Sequence, residues 1–247
     1  MNRQTSKSKA LSSGFQCPWH VYQVLTYIYF AFSSLVFFLK ILPYSKTSIK
    51  VPYLIFFLII STLIIYYTIL LTKSNPTDPE VIAYKKNLQR NNSNLKSEKI
   101  WCHDCDAPVT STNTKHCKRC NRCVLDIDHH CKFVNNCVAK SNYRHFFKLI
   151  VVAKIFLMFL LSTSLIYVSK KSVGFEYSDI FVYLLGISSF LSQLSILRLI
   201  IFHIKIQYKG ITTFEYLEAK IKAKQVSADS QVLRNISTNR INPIINP

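Results

Sequence analysis

The stretch "LIFFLIISTLIIYYTILL", residues 54–71, carries no charge and has no polar face to show water. A helix needs roughly 20 apolar residues to cross a bilayer, and the uncharged run extends over residues 52–72. Outward from it, residues 21–42 form a second apolar block with almost no charge, and residues 146–168 and 180–202 form a third and a fourth apolar block. The chain therefore reads as an all-α integral membrane protein with four transmembrane helices, not as a soluble helical core. Its 49% hydrophobic content and its 4 glycines in 247 residues agree. The first block is too long for the apolar region of a cleavable signal peptide, and no small-residue cleavage site follows it.

The net charge of +19 is distributed unevenly. Residues 73–142 carry twelve Lys and Arg, and the tail after Phe202 carries seven. The loops at 43–51 and 169–178 carry two each. An even number of spans puts both termini and the long connector on one side, and basic residues concentrate on the cytosolic side. A basic surface there suits the anionic head groups of a lipid bilayer. No RNA-recognition motif is present, so no nucleic-acid partner is expected. The organisation is a cytosolic N-terminal tail (1–20), polar and Ser/Lys-rich to residue 15, then a transmembrane hairpin (21–72) turned at "LPYSKTS". A linker (73–100) opens with the helix-stopping "KSNPTDPE" and runs on through a charged, Asn-rich stretch. A cysteine-rich block (101–145), a second hairpin (146–202) and a basic tail (203–247) follow, with no internal repeat.

Seven of the eight cysteines lie in that block: Cys102, Cys105, Cys117, Cys120, Cys123, Cys131 and Cys137. Their pattern is CxxC, then HCxxCxxC, then HCxxxxxC. In a reducing compartment such clusters hold metal rather than form disulfides, and repeated CxxC steps favour zinc. Two tetrahedral sites need eight ligands. Seven cysteines with His116 supply them, and so do six cysteines with two histidines, which frees one thiol. Spacing alone leaves both schemes open, and it leaves His129 as well as His130 eligible as a ligand.

The block resembles the Asp-His-His-Cys (DHHC) family of protein S-acyltransferases. The matching residues are Cys102-x-x-Cys105, His116-Cys117-x-x-Cys120-x-x-Cys123, Asp128-His129-His130-Cys131 and Asn136-Cys137, followed by Asn142 and Phe146. "TTFE" at residues 212–215 matches the family's Thr-Thr-x-Glu motif, and Asp78-Pro79 matches its Asp-Pro-Gly in part. The resemblance implies four spans around a cytosolic, zinc-stabilised catalytic domain in an endomembrane such as the endoplasmic reticulum or Golgi. It implies two structural Zn2+ sites, one of Cys102, Cys105, His116 and Cys123, the other of Cys117, Cys120, His130 and Cys137. Cys131 is then the nucleophile, His129 its base and Asp128 the group that orients the base. Palmitoyl-CoA is the implied acyl donor and membrane-associated proteins the acceptors, through an acyl-enzyme. Phe133 and Thr213 are carried over as a wall toward the acyl-CoA and as a support for Asp128. The chain departs from the family at Lys132-Phe133 (usually Pro-Trp), at Ala139 (usually Gly) and at Glu80. These departures support an alternative, an inactive zinc-containing membrane scaffold or chaperone of the same fold.

Other residues have plainer readings. Thr212, Thr213 and Glu215 also spell a capping box, which leaves two roles open for that motif. His103 and His145 read as ordinary polar residues, and Cys17 as an idle thiol. Lys154 lies near mid-bilayer, where a lysine is costly, and is expected to be buried against a polar neighbour. Arg198 is close enough to the cytosolic end to snorkel.

Overall fold

The computed structural model describes residues 10–90, 100–171, 174 and 176–241. The first nine residues of the polar tail, the Asn-rich part of the linker at 91–99 and the end of the chain at 242–247 lie outside the described residues.

Four long apolar helices dominate the molecule: α1 (Val21–Tyr44), α2 (Thr47–Lys73), α4 (Tyr143–Lys170) and α5 (Ile180–Tyr208, entered through a short 3-10 turn at Tyr177–Asp179). Each is long enough to cross a bilayer. In α1, α2 and the fourth span only 22% of the apolar window is buried, and in α4 39%. The outward faces are Leu, Ile and Phe, and such a surface is stable only against lipid. The helices run past the apolar blocks at several ends, because polar end turns continue the same backbone hydrogen bonding beyond the hydrocarbon.

Aromatic packing joins the spans. Phe37, in a π-type turn of α1, stacks on Phe57 of α2 at 4.3 Å and meets Phe159 of α4 at 5.5 Å. A Cβ on Gly186 of α5 would stand 3.4 Å from Ser164 of α4, so a small residue permits that close approach. At the end away from the cysteine-rich block, the buried Asp179 accepts from Tyr167 and pairs with Lys171 and Lys40, tying α1, α4 and α5. Lys154 donates to Gln193 at 2.8 Å across the α4–α5 seam, the polar neighbour its position called for.

Two polar helices complete the frame. Asp78 caps α3 (Pro79–Gln89), with Pro at its first position, where no backbone donor is needed. Helix α6 (Thr213–Ile241) gives much of the basic tail regular structure that its weak periodicity does not announce. Within this helical molecule the cysteine-rich block consists of three two-stranded antiparallel hairpins: β1 (Trp101–Cys102) with β2 (Ala107–Pro108), β3 (Lys115–Cys117) with β4 (Arg122–Val124), and β5 (Ile127–Cys131) with β6 (Asn136–Ala139).

Candidate active site and metal centres

The three hairpins share one register. Cys102 pairs with Ala107, Cys117 with Arg122 and Cys131 with Asn136, five residues on in each case. The residue before each of these partners has positive φ: Asp106 at 49°, Asn121 at 48° and Asn135 at 49°. Asn and Asp tolerate that left-handed conformation better than other residues with a Cβ. The sequence shows no obvious repeat here, but the structure shows a repeated unit. The second and third units also share a cross-strand pair, His116 with Cys123 and His130 with Cys137.

This repetition sorts the ligands. The CxxC of the first hairpin meets the His–Cys pair of the second, gathering Cys102, Cys105, His116 and Cys123. The CxxC of the second meets the His–Cys pair of the third, gathering Cys117, Cys120, His130 and Cys137. In the third hairpin the second CxxC position is Val134, so Cys131 stands where a third centre would begin, without a partner thiol.

The ligand atoms fit zinc. In the first cluster Cys105 Sγ is 3.3 Å and Cys102 and Cys123 Sγ are 3.9 Å from His116 Nδ1. In the second, Cys120 Sγ is 3.3 Å and Cys117 and Cys137 Sγ are 3.8 Å from His130 Nδ1. Tetrahedral zinc, with bonds of about 2.3 Å to sulfur and about 2.0 Å to nitrogen, spaces its ligands roughly 3.5–3.8 Å apart. Crowded thiols also suit a cation: the hydrogen bond from Cys123 holds Cys105 below the usual thiol range, while Cys117 pushes its neighbour Cys120 up.

Strand alternation separates the candidate metal ligand of this stretch from its neighbours. Successive residues of β5 face opposite sides, so His130 turns to the second cluster while His129 and Cys131 share the other face. A register slip between Ile127 and His129 marks a bulge at Asp128. The bulge brings Asp128 Oδ2 to 2.6 Å from Nδ1 of the next residue, His129. Thr213, at the start of α6, donates to Asp128 twice, from its backbone N–H at 2.9 Å and its hydroxyl at 2.8 Å. Thr212 and Glu215 close a reciprocal cap on the same helix. The two readings of the motif thus coexist on different residues.

The electrostatics follow the geometry. Burial disfavours a charged Asp128, yet the bonds from His129 and Thr213 hold its carboxyl below the usual range. Burial likewise opposes a charged His129, but Asp128 and then Cys131 outweigh it and raise the imidazole to about 9. Cys131 is buried and packs with Leu71, Val138, Phe146 and Ile150, where the hairpin meets the ends of α2 and α4. Phe133 is exposed and stacks on Tyr22 of α1 at 5.6 Å, with the Lys132 ammonium over the same Tyr22 ring.

Several residues around the site make contacts that their place in a motif does not specify. Asn136, fully buried, donates to the carbonyls of Leu71 and Ser74 and so closes the C-terminal end of α2. Asn142 bridges Ser74 and Cys137, and Asp78 binds Thr110 and Thr114 in the loop after the first hairpin. His203, buried near the end of α5, accepts or donates at Tyr143 and has a ring nitrogen within 4.8 Å of ligand atoms of Asp128 and His129. An ionisable residue at the end of an apolar span was the one available clue to it.

Fold and site together define a class: a four-span membrane protein with two Cys3His clusters that could hold metal ions, next to an Asp128–His129 pair and a buried Cys131 where the hairpins meet the helix ends. A profile of the DHHC palmitoyltransferase family matches residues 95–220, and the chain belongs to that family. Palmitoyltransferase ZDHHC11 of Homo sapiens is 29% identical over 83% of this chain and 58% of that protein. Probable palmitoyltransferase ZDHHC11B of Homo sapiens is 30% identical over 83% of this chain and 65% of that protein. Palmitoyltransferase ZDHHC8 of Drosophila melanogaster is 28% identical over 56% and 14%. The chain spans less than two thirds of the length of each of these relatives.

Proposed function

We propose that this protein is a protein S-acyltransferase that moves palmitoyl from palmitoyl-CoA to cysteines of membrane-associated proteins. The observation that carries this reading is the line Cys131–His129–Asp128–Thr213, built outside the two ligand sets. His129 Nδ1 is committed to Asp128, which leaves Nε2 to take the Cys131 proton. The thiolate attacks the thioester carbonyl of the donor, the C–S bond to CoA breaks, and CoA leaves as its thiol after gaining a proton from the imidazolium. An acceptor cysteine, deprotonated in turn by His129, takes the acyl group and regenerates Cys131. The apolar neighbours of Cys131 suit a donor whose chain remains among the spans.

Cys102, Cys105, His116 and Cys123 would hold one zinc ion, and Cys117, Cys120, His130 and Cys137 the other. Bound zinc would supply cross-linking between hairpins and no open position for water, because each ion has four protein ligands. The basic connector and tail favour a cytosolic block in an endomembrane. Purified protein in detergent, incubated with labelled palmitoyl-CoA, should acquire label that hydroxylamine releases as from a thioester. Absence of such label on metal-replete protein would favour the scaffold alternative.

A further inference from the structure

Where α5 leaves the bilayer, its last turns and the first turn of α6 enclose a groove of about 360 Å³. The residues that matter are Phe202, Lys205, Ile206, Tyr208, Lys209 and Tyr216. Phe202 and Tyr216 meet edge to face at 5.4 Å, and Ile206 is buried. These make an apolar wall. Lys205 and Lys209 stand four apart on the helix and therefore on one side of it. The nearby carboxylates are otherwise engaged, Glu215 with Thr212 and Glu218 with Lys222. Tyr208 is 94% exposed, a placement that suits the headgroup layer of a membrane better than water.

We propose that this groove binds an anionic glycerophospholipid, with an acyl chain along Phe202 and Tyr216, over the buried Ile206, and the charged head at Lys205 and Lys209. Inorganic phosphate would have no use for the apolar wall, and a neutral lipid none for the paired lysines. The groove adjoins the reactive line at both walls. Phe202 precedes His203, whose ring nitrogen is within 4.8 Å of ligand atoms of Asp128 and His129. Tyr216 lies one turn beyond Thr213, which holds Asp128. The two helices meet at a tight corner through Gly210, at φ 66°. A lipid in the groove fixes the first turn of α6 against α5 and with it the hold of Thr213 on Asp128. This coupling rests on the proposed acyl transfer; the binding does not.

The full chain is reconstituted in nanodiscs of phosphatidylcholine with or without phosphatidylserine, beside a Lys205→Gln, Lys209→Gln variant and its Lys→Arg counterpart. Native mass spectrometry counts the phosphatidylserine retained after extraction, and palmitoyl labelling is timed on the same samples. At about five-fold in affinity per lysine near an anionic surface, the Gln variant should retain phosphatidylserine about 30-fold more weakly. The Arg variant should match the native chain, and inorganic phosphate should not displace the lipid. Native labelling should quicken with phosphatidylserine, while the Gln variant stays at the phosphatidylcholine rate. Equal retention by the native chain and the Gln variant overturns the site. Selective retention with labelling indifferent to phosphatidylserine overturns the coupling. A chain that is never labelled counts against acyl transfer, and retention still decides the groove.

Discussion

At the scale of single residues, Thr213 illustrates how a small side chain is given two tasks at once. Its backbone N–H and its hydroxyl both reach Asp128, while the helix start is held by its neighbours Thr212 and Glu215. Thr213→Val keeps the first bond and the shape but removes the second. A hydrogen bond to a charged group contributes about 1.5–3 kcal/mol, so acyl-enzyme formation should slow by about 10-fold or more with zinc content unchanged. Thr212→Val should instead weaken only the cap and leave the labelling rate near native; equal losses in both variants would contradict the division. The Asp-His-His-Cys stretch was legible in the sequence because a thiol, imidazoles and a carboxylate at close spacing announce chemistry, but spacing alone left open which of them hold metal. Of the residues that hold it, Asn136 and Asn142 were marked by the motif but not given their partners, Thr213 was given Asp128 only through the resemblance, and His203 was in no motif. The partners lie 60 or more residues away along the chain, where nothing local points to them.

Among the elements, the third hairpin repeats the other two with Val134 at the position of their second thiol. The spacing HCxxxxxC occurs at residues 116–123 and again at 130–137. That recurrence does not read as a repeat in the sequence, because short strands of two to five residues give no periodicity to support it. The transmembrane helices are the opposite case, since unbroken apolar length identifies each of them directly. The join between the two kinds of element rests on Asn136, whose amide closes the carbonyl end of α2. Asn136→Leu should strand those buried acceptors and cost about 3 kcal/mol, read as a lower aggregation temperature in detergent. Native-like melting would show that the amide is dispensable. In the α4–α5 seam, Gln193→Leu leaves the Lys154 ammonium without its acceptor and should lower the same temperature. Lys154→Leu removes the charge itself and should be neutral or stabilising. The reverse order would mean that the lysine has a partner other than Gln193.

For the whole molecule, the proposed acyl transfer depends on how seven thiols of one block are divided: six, with two histidines, in the clusters that could hold metal, and Cys131 left beside His129 and Asp128. The four spans fix where that block sits, and the bulge in β5 fixes which way each residue of Asp-His-His-Cys faces. Loss of a structural zinc removes on the order of 10 kcal/mol from a small domain, so a ligand substitution and a nucleophile substitution must differ in kind. The most direct measurement is zinc per chain and hydroxylamine-labile palmitoyl label per chain on the same preparations of native protein, Cys131→Ser and Cys137→Ser. The expected result is two zinc ions and label in the native chain, two zinc ions and no label in Cys131→Ser, and loss of both zinc and label in Cys137→Ser. Loss of zinc from Cys131→Ser, or thioester label persisting in its cysteine-rich block, would contradict the account.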